Sequence, residues 1–307
     1  MKAEGQTVQQ RSANDRARTT LRRLEWRLRK RVSTQLGGEH RSVFHGKGME
    51  FDQVVKYNFG DDVRDIDWNV TARLGEPYRK VFVEERDVPL VVTFADDPAL
   101  RFGSGAHSKR DVLLEMAGLV LLLGTVNRQR VSLIRTGNGE NIIHPPSRRR
   151  ERVLGWLLDL LSAPPPDAAP ERRFDALPLP LGSVPRNAII LWLGEIPTVS
   201  PPPAWTALRR QHRCIGIRVE DGWEREPAVG LSGTLYDPTT GEAFPAGDSA
   251  QMRSAHAAWR ARREALWAEW WPDPVDRLVV DTMADPLAAL VRLLTQQGSR
   301  RPAAGAR

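Results

Sequence analysis

The chain has 307 residues, of which 41% are hydrophobic and 27% charged, values typical of a soluble globular protein with one large or two ordinary domains. Its only cysteine, Cys214, excludes an internal disulfide. No secretory signal is visible and the longest apolar run, 116–124, is shorter than the ~20 residues that span a bilayer, so we expect a cytoplasmic protein.

The net charge of +7 is concentrated near the N-terminus. Residues 1–18 are polar and predicted to be a disordered tail, and a helix is predicted over Thr19–Gln35 because apolar residues recur there at helical spacing. These residues are Leu21, Leu24, Leu28 and Val32. The favoured interpretation packs this apolar stripe on the body and leaves the arginines in water. A basic helix on a membrane surface is the alternative, so peripheral membrane contact stays open.

Residues 46–86 form the most informative segment. Glycines, acids, arginines and large aromatics alternate there without a sustained helical or strand period. The segment belongs to an irregular unit over 40–88, with short strand signals at Arg41–Phe44 and Pro77–Glu84. A long irregular connection within a compact domain is usually functional.

From Pro89 onward, continuous apolar runs alternate with helical patterns. The predicted strands are Leu90–Phe94, Arg130–Thr136 with its hairpin partner Glu140–His144, Asn187–Leu193, Cys214–Val219, a hairpin over Leu235–Phe244, and Val275–Val280. The predicted helices are Lys109–Asn127, Arg148–Ser162, Ala204–Gln211, Ala250–Trp270 and Pro286–Gln296. This alternation predicts an α/β fold, a mostly parallel sheet with helices on both faces.

The order of fixed residues in 46–86 resembles the bacterial family known as domain of unknown function 58 (DUF58). Its signature is G-x-G-x-E-F, then Y-x-x-G-D-x-x-R-x-I-D-W-x-x-T-A-R, then an F-x-x-E-R-type strand. The positions that we take as the signature and partner-binding residues are Gly46, Gly48, Glu50, Phe51, Tyr57, Gly60, Asp61, Arg64, Asp67, Trp68, Thr71 and Arg73. The matching positions of the last strand are Phe82, Glu85 and Arg86.

The resemblance implies a division of the chain. A basic helix and signature unit would span 19–88, a von Willebrand factor A-like (Rossmann-like) domain 89–298, and a second disordered tail 299–307. Domains of that kind hold a divalent cation through D-x-S-x-S after the first strand. Here the segment is Ala95–Ala99, without the leading aspartate and both serines, which leaves Asp96, Asp97 and Glu195 as weak candidate ligands. We therefore expect no bound metal and no cofactor.

The resemblance also implies a role beside MoxR-type AAA+ ATPases as an adaptor or co-chaperone-like module rather than as an enzyme. Two other functions are kept as alternatives. One is a metal-dependent von Willebrand A-type ligand-binding domain, and the other is nucleic-acid binding through the basic N-terminal region. The chain has no binding platform rich in aromatics and no phosphate-loop pattern, so nucleic acid and nucleotide are not expected as ligands.

Two compatible interpretations remain for the charged residues of the signature unit. Aspartates 61, 62, 65 and 67 could pair with Arg64, Arg73, Arg79 and Arg86 in a network that pins the unit to the sheet, with Phe59, Ile66 and Trp68 as its apolar anchor. The same residues could instead form a partner-binding surface.

The helix predicted over Ala250–Trp270 carries apolar residues on one face, but Arg262–Arg263 interrupts the stripe. Core packing is the favoured interpretation, since long arginine stems can cover apolar surface while their heads reach water. A tryptophan-rich interaction face is the alternative.

Overall fold

The computed structural model describes residues 2–34, 49–58, 60–84, 88–137, 140–167, 181–226, 233–236, 243–247 and 249–298. The helices are α1 (Lys2–Thr34), α2 (Trp68–Leu74), α3 (Lys109–Val126), α4 (Arg150–Ser162), α5 (Pro203–Gln211), α6 (Gly222–Arg225), α7 (Ala250–Trp270) and α8 (Pro286–Gly298). The strands are β1 (Met49–Lys56), β2 (Tyr78–Glu84), β3 (Leu90–Ala95), β4 (Val131–Gly137), β5 (Glu140–Ser147), β6 (Ile189–Gly194), β7 (Arg213–Glu220), β8 (Gly233–Tyr236), β9 (Ala243–Ala246) and β10 (Arg277–Asp281).

A six-stranded sheet in the order β10-β7-β6-β3-β4-β5 confirms the predicted α/β fold. All neighbours are parallel except β4 and β5, which form the predicted hairpin. Every residue of β3 is buried, as expected for a central parallel strand covered on both faces. Counted from β3, the order is 3-2-1-4-5-6 from the β5 edge, and the chain changes direction across the sheet between β3 and β6.

The two faces of the sheet have different cores. Aliphatic side chains from α3, α4 and α8 cover one face, together with Leu21, Leu24 and Leu28 of α1. Tryptophans dominate the other face, where Trp205 of α5 and Trp267, Trp270 and Trp271 at the end of α7 surround Trp192. Core packing is therefore correct for the C-terminal half of α7, whereas Trp259 near its middle is 45% exposed.

Helix α1 forms a third layer on the outside of α3 and α4. Gly118 of α3 allows the close approach, since a Cβ there would lie 2.6 Å from Leu24 Cδ1. Arg27 pairs with Glu115 of α3 and with Asp285 before α8, and Arg150 of α4 pairs with Glu25. Helix α3 is almost wholly buried between α1 and the sheet, which explains its strongly apolar sequence.

Helix α1 begins at Lys2 rather than at Thr19, so residues 2–18 are helical where the composition predicted a disordered tail. The docked turns around Leu24 supply a nucleus, and each further residue then adds one backbone hydrogen bond. Most other elements lie within three residues of their predicted bounds, but β1, α2 and α6 were not predicted. The predicted strand at Arg41–Phe44 and tail at 299–307 lie outside the described residues.

Across the described ranges, no helix combines the length and the apolarity that a bilayer crossing requires.

Candidate functional site

The weak cation candidates lie at one edge of the sheet. Asp96 and Asp97 follow β3, and Glu195 follows β6, so all three are at the carboxyl ends of the strands between which the chain changes direction. Crevices at such switch points are the usual ligand sites of open α/β sheets. The contacts of these carboxylates decide whether they could hold a cation.

Asp96 is held by two arginines. Its side chain is fully buried, and Arg110 at the start of α3 donates Nε and Nη2 to the two carboxylate oxygens at 2.8 Å each. Arg135 of β4 adds a contact to Oδ2, with its Nε at 3.2 Å. Fork-to-carboxylate pairing of this kind is the strong form of ion pair. Both oxygens of Asp96 are therefore committed to guanidinium groups of the protein itself.

Glu195 belongs to a second, four-membered cluster. The Lys109 ammonium contacts Glu195 and lies 2.9 Å from Glu224 Oε1 of α6, while Arg263 of α7 donates to Glu224 at 2.7 Å and to Glu195 at 2.5 Å. Burial by itself would raise the pKa of Glu195, but the positive charges of Lys109 and Arg263 outweigh burial and keep that pKa below its ordinary value. Two anions and two cations balance in this cluster.

The four basic residues and Glu224 in these two clusters were not predicted from the sequence. Arg263 was taken as a break in the apolar stripe of α7, yet it is buried and carries the ion pairs that close the cluster. A signal existed at Lys109 and Arg110, because two cations at the N-terminus of an apolar helix oppose the helix dipole unless acids lie nearby.

The two other aspartates at this edge accept hydrogen bonds from backbone N–H groups and from hydroxyl groups. Asp97 is buried and accepts the Ala99 N–H at 2.7 Å, and burial raises its pKa to about 6. Asp221 after β7 accepts from the Ser104 N–H at 3.0 Å, from the Ser104 hydroxyl at 2.5 Å and from the Thr282 hydroxyl at 2.9 Å. Burial alone would raise the pKa of Asp221, but these hydrogen bonds lower it. The loop before α3 is thereby tied to the ends of β7 and β10.

Asp96 and Glu195 at this edge are neutralised by cations of the protein itself. Within the described ranges, no group of three or more histidine, cysteine, aspartate or glutamate side chains is arranged to hold a metal ion. Asp96, Asp97 and Glu195 do not converge on a common point but face separate partners: guanidinium groups, a backbone amide and an ammonium. This arrangement ties the carboxyl ends of the strands to α3, α6 and α7.

The signature unit is a separate structure built on the β1–β2 hairpin. Asp61 organises the turn after β1, because its carboxylate accepts the Asn58 N–H at 3.0 Å and lies 2.8 Å from Arg79 Nε, while its carbonyl accepts the Tyr57 hydroxyl at 2.9 Å. Gly60 in this turn has φ +109°, a conformation that favours glycine.

Asp67 begins α2 and joins it to β2. Its carboxylate caps the helix through the Asn69 and Val70 N–H groups at 3.0 and 3.3 Å, and the Val70 hydrogen bond lowers the pKa of Asp67. The Thr71 hydroxyl accepts the Tyr78 N–H at 3.0 Å. Asp61, Asp67 and Thr71 therefore fix the local fold of the signature.

Three other signature residues point to solvent. Arg64, Trp68 and Arg73 are exposed, Trp68 to 67%, and Val63 and Leu74 beside them are exposed too. The predicted anchoring role of Trp68 is thus wrong, and Arg64 and Arg73 make no ion pair with any residue in the described part of the chain. Helix α2 is capped by Asp67 and held to β2 by Thr71. The Trp68 indole takes part in neither contact and faces outward.

In the described part of the chain, the predicted network is limited to the Arg79–Asp61 pair, together with Lys80 at 3.5 Å from Asp67. Among the described residues, no hydrogen bond or ion pair joins 54–80 to the rest of the chain, and none of the side chains described in this stretch is fully buried. Within the described residues the network therefore does not pin the unit to the sheet, and its fourth arginine, Arg86, lies outside them.

Only some of the remaining signature positions lie within the described residues. Glu50 and Phe51 lie in β1. Gly46, Gly48, Phe59, Glu85 and Arg86 lie outside the described residues.

Cys214, the only thiol, is buried in β7, and burial raises its pKa to about 12. A thiol with so little thiolate character fits the structural role that the sequence indicated.

Comparison of the sequence with known proteins identifies a family. The model of the family described as "Protein of unknown function DUF58" matches residues 53–265. An uncharacterized protein of Mycobacterium tuberculosis, Rv1480, is 28% identical over 217 residues, which cover 68% of this chain and 67% of the relative. The uncharacterized protein Mb1516 of Mycobacterium bovis matches to the same extent.

Two solved structures share weaker similarity. The conserved hypothetical protein BatB from Bacteroides thetaiotaomicron is 10% identical, with a TM-score of 0.39 over 70% of this chain and 100% of that one. An uncharacterized membrane spanning protein from Vibrio fischeri is 13% identical, with a TM-score of 0.22 over 68% of this chain and 97% of that one.

Proposed function

We propose a non-catalytic, protein-binding function for this chain, which belongs to the family described as proteins of unknown function DUF58. One observation carries the proposal: within ten residues of the signature unit, Arg64, Trp68 and Arg73 are exposed rather than used in folding. Tryptophan and arginine are the residues that most often dominate the binding energy of protein interfaces. A segment whose shape is fixed by Asp61, Asp67 and Thr71 can present them in one defined arrangement.

The partner that we propose is a MoxR-type AAA+ ATPase, for which this chain would act as an adaptor. The resemblance of the signature to its family supports the choice of partner. An acidic patch on the partner would pair with Arg64 and Arg73, and such complementary charge would steer association. The exposed Val63 and Leu74 would add apolar contact around the indole.

The test is co-purification of this chain with the MoxR-type ATPase of its source organism, followed by titration of one into the other. We expect Trp68→Ala, and separately Arg64→Ala with Arg73→Ala, to weaken binding at least about tenfold, the effect of losing an interface hot spot. The matched control is Trp259→Ala, since Trp259 is also a half-exposed helical indole. Equal binding by all variants, or no complex with the wild-type chain, would reject the proposal.

We further propose that the α/β domain is von Willebrand A-like with a degenerate ion site. The strand order and the position of Asp96, Asp97 and Glu195 at the switch point support this assignment. Pairing of Asp96 with Arg110 and of Glu195 with Lys109 supports the degenerate site, because each ion pair takes an oxygen that a cation would need.

Calorimetric titration with magnesium and with manganese tests this second assignment. We expect no saturable heat from either cation, and a stoichiometric binding isotherm that Asp97→Asn abolishes would refute it. Without a bound cation, partner binding would depend on side chains of the signature unit alone. We place the protein in the cytoplasm, consistent with a single buried thiol.

A further inference from the structure

Helix α1 has a second face that the fold does not use. Leu21, Leu24 and Leu28 are buried against the body of the protein. At about 100° per residue, Trp26 lies on the opposite side of the helix, and it is 63% exposed. It is the only aromatic residue in α1. The exposed Trp26 indole therefore belongs to the outer face of α1, and the packing of the inner face does not involve it.

Basic side chains surround this indole. Arg18, Arg22 and Arg29 are exposed on the same half of the helix, and the Lys30 ammonium lies 5.2 Å from the Trp26 ring centroid. The three arginines make no ion pair with a residue in the part of the chain that the structure describes.

Two other charges of α1 are already used in packing. Glu25, the acid next to Trp26, is paired with Arg150 of α4. Arg27 is paired with Glu115 and Asp285. Glu25 is thus engaged elsewhere, and the three exposed arginines keep a net positive charge along the roughly 16 Å of axis between residues 18 and 29.

We propose that this outer face of α1 binds the anionic surface of a lipid bilayer, with Trp26 in the headgroup region and Arg18, Arg22, Arg29 and Lys30 over acidic headgroups. Indole rings favour the membrane–water interface, where the apolar body and the polar N–H are both satisfied. A straight row of cations matches a flat, uniformly charged surface, and clusters of four or more basic residues on a helix are the usual signature of binding to acidic lipids.

Other anionic partners fit this face less well. Proteins that bind single-stranded nucleic acid stack successive bases on several aromatic side chains in a groove, whereas α1 presents one indole on a convex helix. An acidic protein would need a ridge that matches the helix, and no feature of this face beyond its charge selects one.

Sedimentation with vesicles tests the proposal with the full chain. We expect binding to vesicles of phosphatidylcholine mixed with phosphatidylglycerol, weakening with salt, and none to phosphatidylcholine alone. Arg22→Glu with Arg29→Glu should reduce binding to the anionic vesicles at least about tenfold, because each basic residue near an acidic leaflet strengthens binding about fivefold. Trp26→Ala should reduce binding at every salt concentration while leaving the salt dependence unchanged.

The matched control is Arg210→Glu with Arg262→Glu, which gives the same net charge through two exposed arginines on α5 and α7. We expect it to bind like the wild type. An equal loss in the control would overturn the proposal, because the effect would then be one of net charge alone. Failure of the wild-type chain to bind anionic vesicles, with or without binding to a duplex or single-stranded oligonucleotide, would also overturn it.

Discussion

Single residues at the carboxyl edge of the sheet carry charges that folding has removed from water. The Lys109 side chain is 2% exposed, and its ammonium is shared by Glu195 and Glu224. Removing one partner of a buried ion pair leaves the other charge buried without compensation, which costs more than the pair itself contributes. The Lys109 cluster should therefore be far less tolerant of substitution than the ion pairs on the surface.

We expect Lys109→Met to lower the free energy of unfolding by about 3–5 kcal/mol, because Glu195 and Glu224 would then share Arg263 alone. Urea denaturation followed by circular dichroism measures this loss. Lys80→Met is the matched control: Lys80 pairs with Asp67 at 3.5 Å with 41% of its side chain exposed, and its loss should cost no more than about 1 kcal/mol. Similar losses in the two variants would show that the Lys109 cluster is not buried as described.

Asp97 should give the protein a distinctive dependence on pH. Its pKa is about 6 in the folded chain against an ordinary 3.8, so the folded state holds this proton more tightly than the unfolded state does. The stability that Asp97 provides is therefore complete below pH 4 and is lost as the pH rises through 6.

Asp97→Asn keeps an acceptor for the Ala99 N–H and cannot ionise. We expect it to be more stable than the wild type by about 2–3 kcal/mol at pH 7, with a difference that disappears near pH 4. Guanidinium denaturation of both proteins between pH 4 and pH 8 measures the difference, in which the titration of all other groups cancels. A difference that does not change with pH would contradict the assignment.

The sequence was enough to name the three carboxylates of this edge but not the residues that pair with them. Asp96, Asp97 and Glu195 share one edge because they directly follow β3 and β6, which are neighbouring parallel strands. Their partners could not be derived, because Lys109 and Glu224 are 115 positions apart and meet only through the packing of α3 and α6 over the sheet. Charged residues in apolar patterns were interpreted as solvent-facing, which is the commoner case but not the one realised at Arg263.

Between elements, the fit of α7 against β7 depends on the lack of a side chain at Gly216. A Cβ at this position would lie 2.4 Å from Trp267 Cη2 and 2.6 Å from Trp271 Cε2. Indole rings are rigid and both of these are buried, so they cannot yield as the end of a flexible chain would.

We expect Gly216→Ala to lower the free energy of unfolding by about 1–3 kcal/mol or more, through overpacking of the tryptophan face. The control is Gly155→Ala in α4, where an added Cβ meets no atom within 4 Å and the helix should gain about 0.5–1 kcal/mol. Thermal unfolding monitored by tryptophan fluorescence gives both values. A neutral Gly216→Ala would mean that α7 packs farther from the sheet than described.

The elements of the signature unit were harder to predict than those of the sheet. Helix α2 contains no buried residue, so it has no apolar stripe from which a period could be detected. Its ends were nonetheless encoded, by Asp67 as an N-cap and by Gly75 with φ +73° at the C-terminus. Short surface helices of this kind are specified by their caps rather than by their hydrophobic pattern.

The whole molecule combines a core whose layers depend on one another with a signature unit held by local contacts. Alternating apolar strands and helices sufficed to predict the parallel sheet, whereas the third layer formed by α1 could not be derived, since the stripe of Leu21, Leu24 and Leu28 does not reveal which surface it covers. Substitutions on the signature unit should therefore affect binding without affecting the stability of the sheet.

The strongest test of this organisation compares two leucines. Leu24 of α1 is fully buried against α3, and Leu24→Ala should lower the free energy of unfolding by about 2–5 kcal/mol as α1 loses its contact beside Gly118. Leu74 of α2 is 58% exposed, and Leu74→Ala should change stability by no more than about 0.5 kcal/mol. Urea denaturation measures both, and hydrogen exchange shows whether the amides of α1 around Leu24 open together with those of α3. If α1 exchanges freely while α3 stays protected, α1 is an appendage and the third layer is not part of the cooperative core.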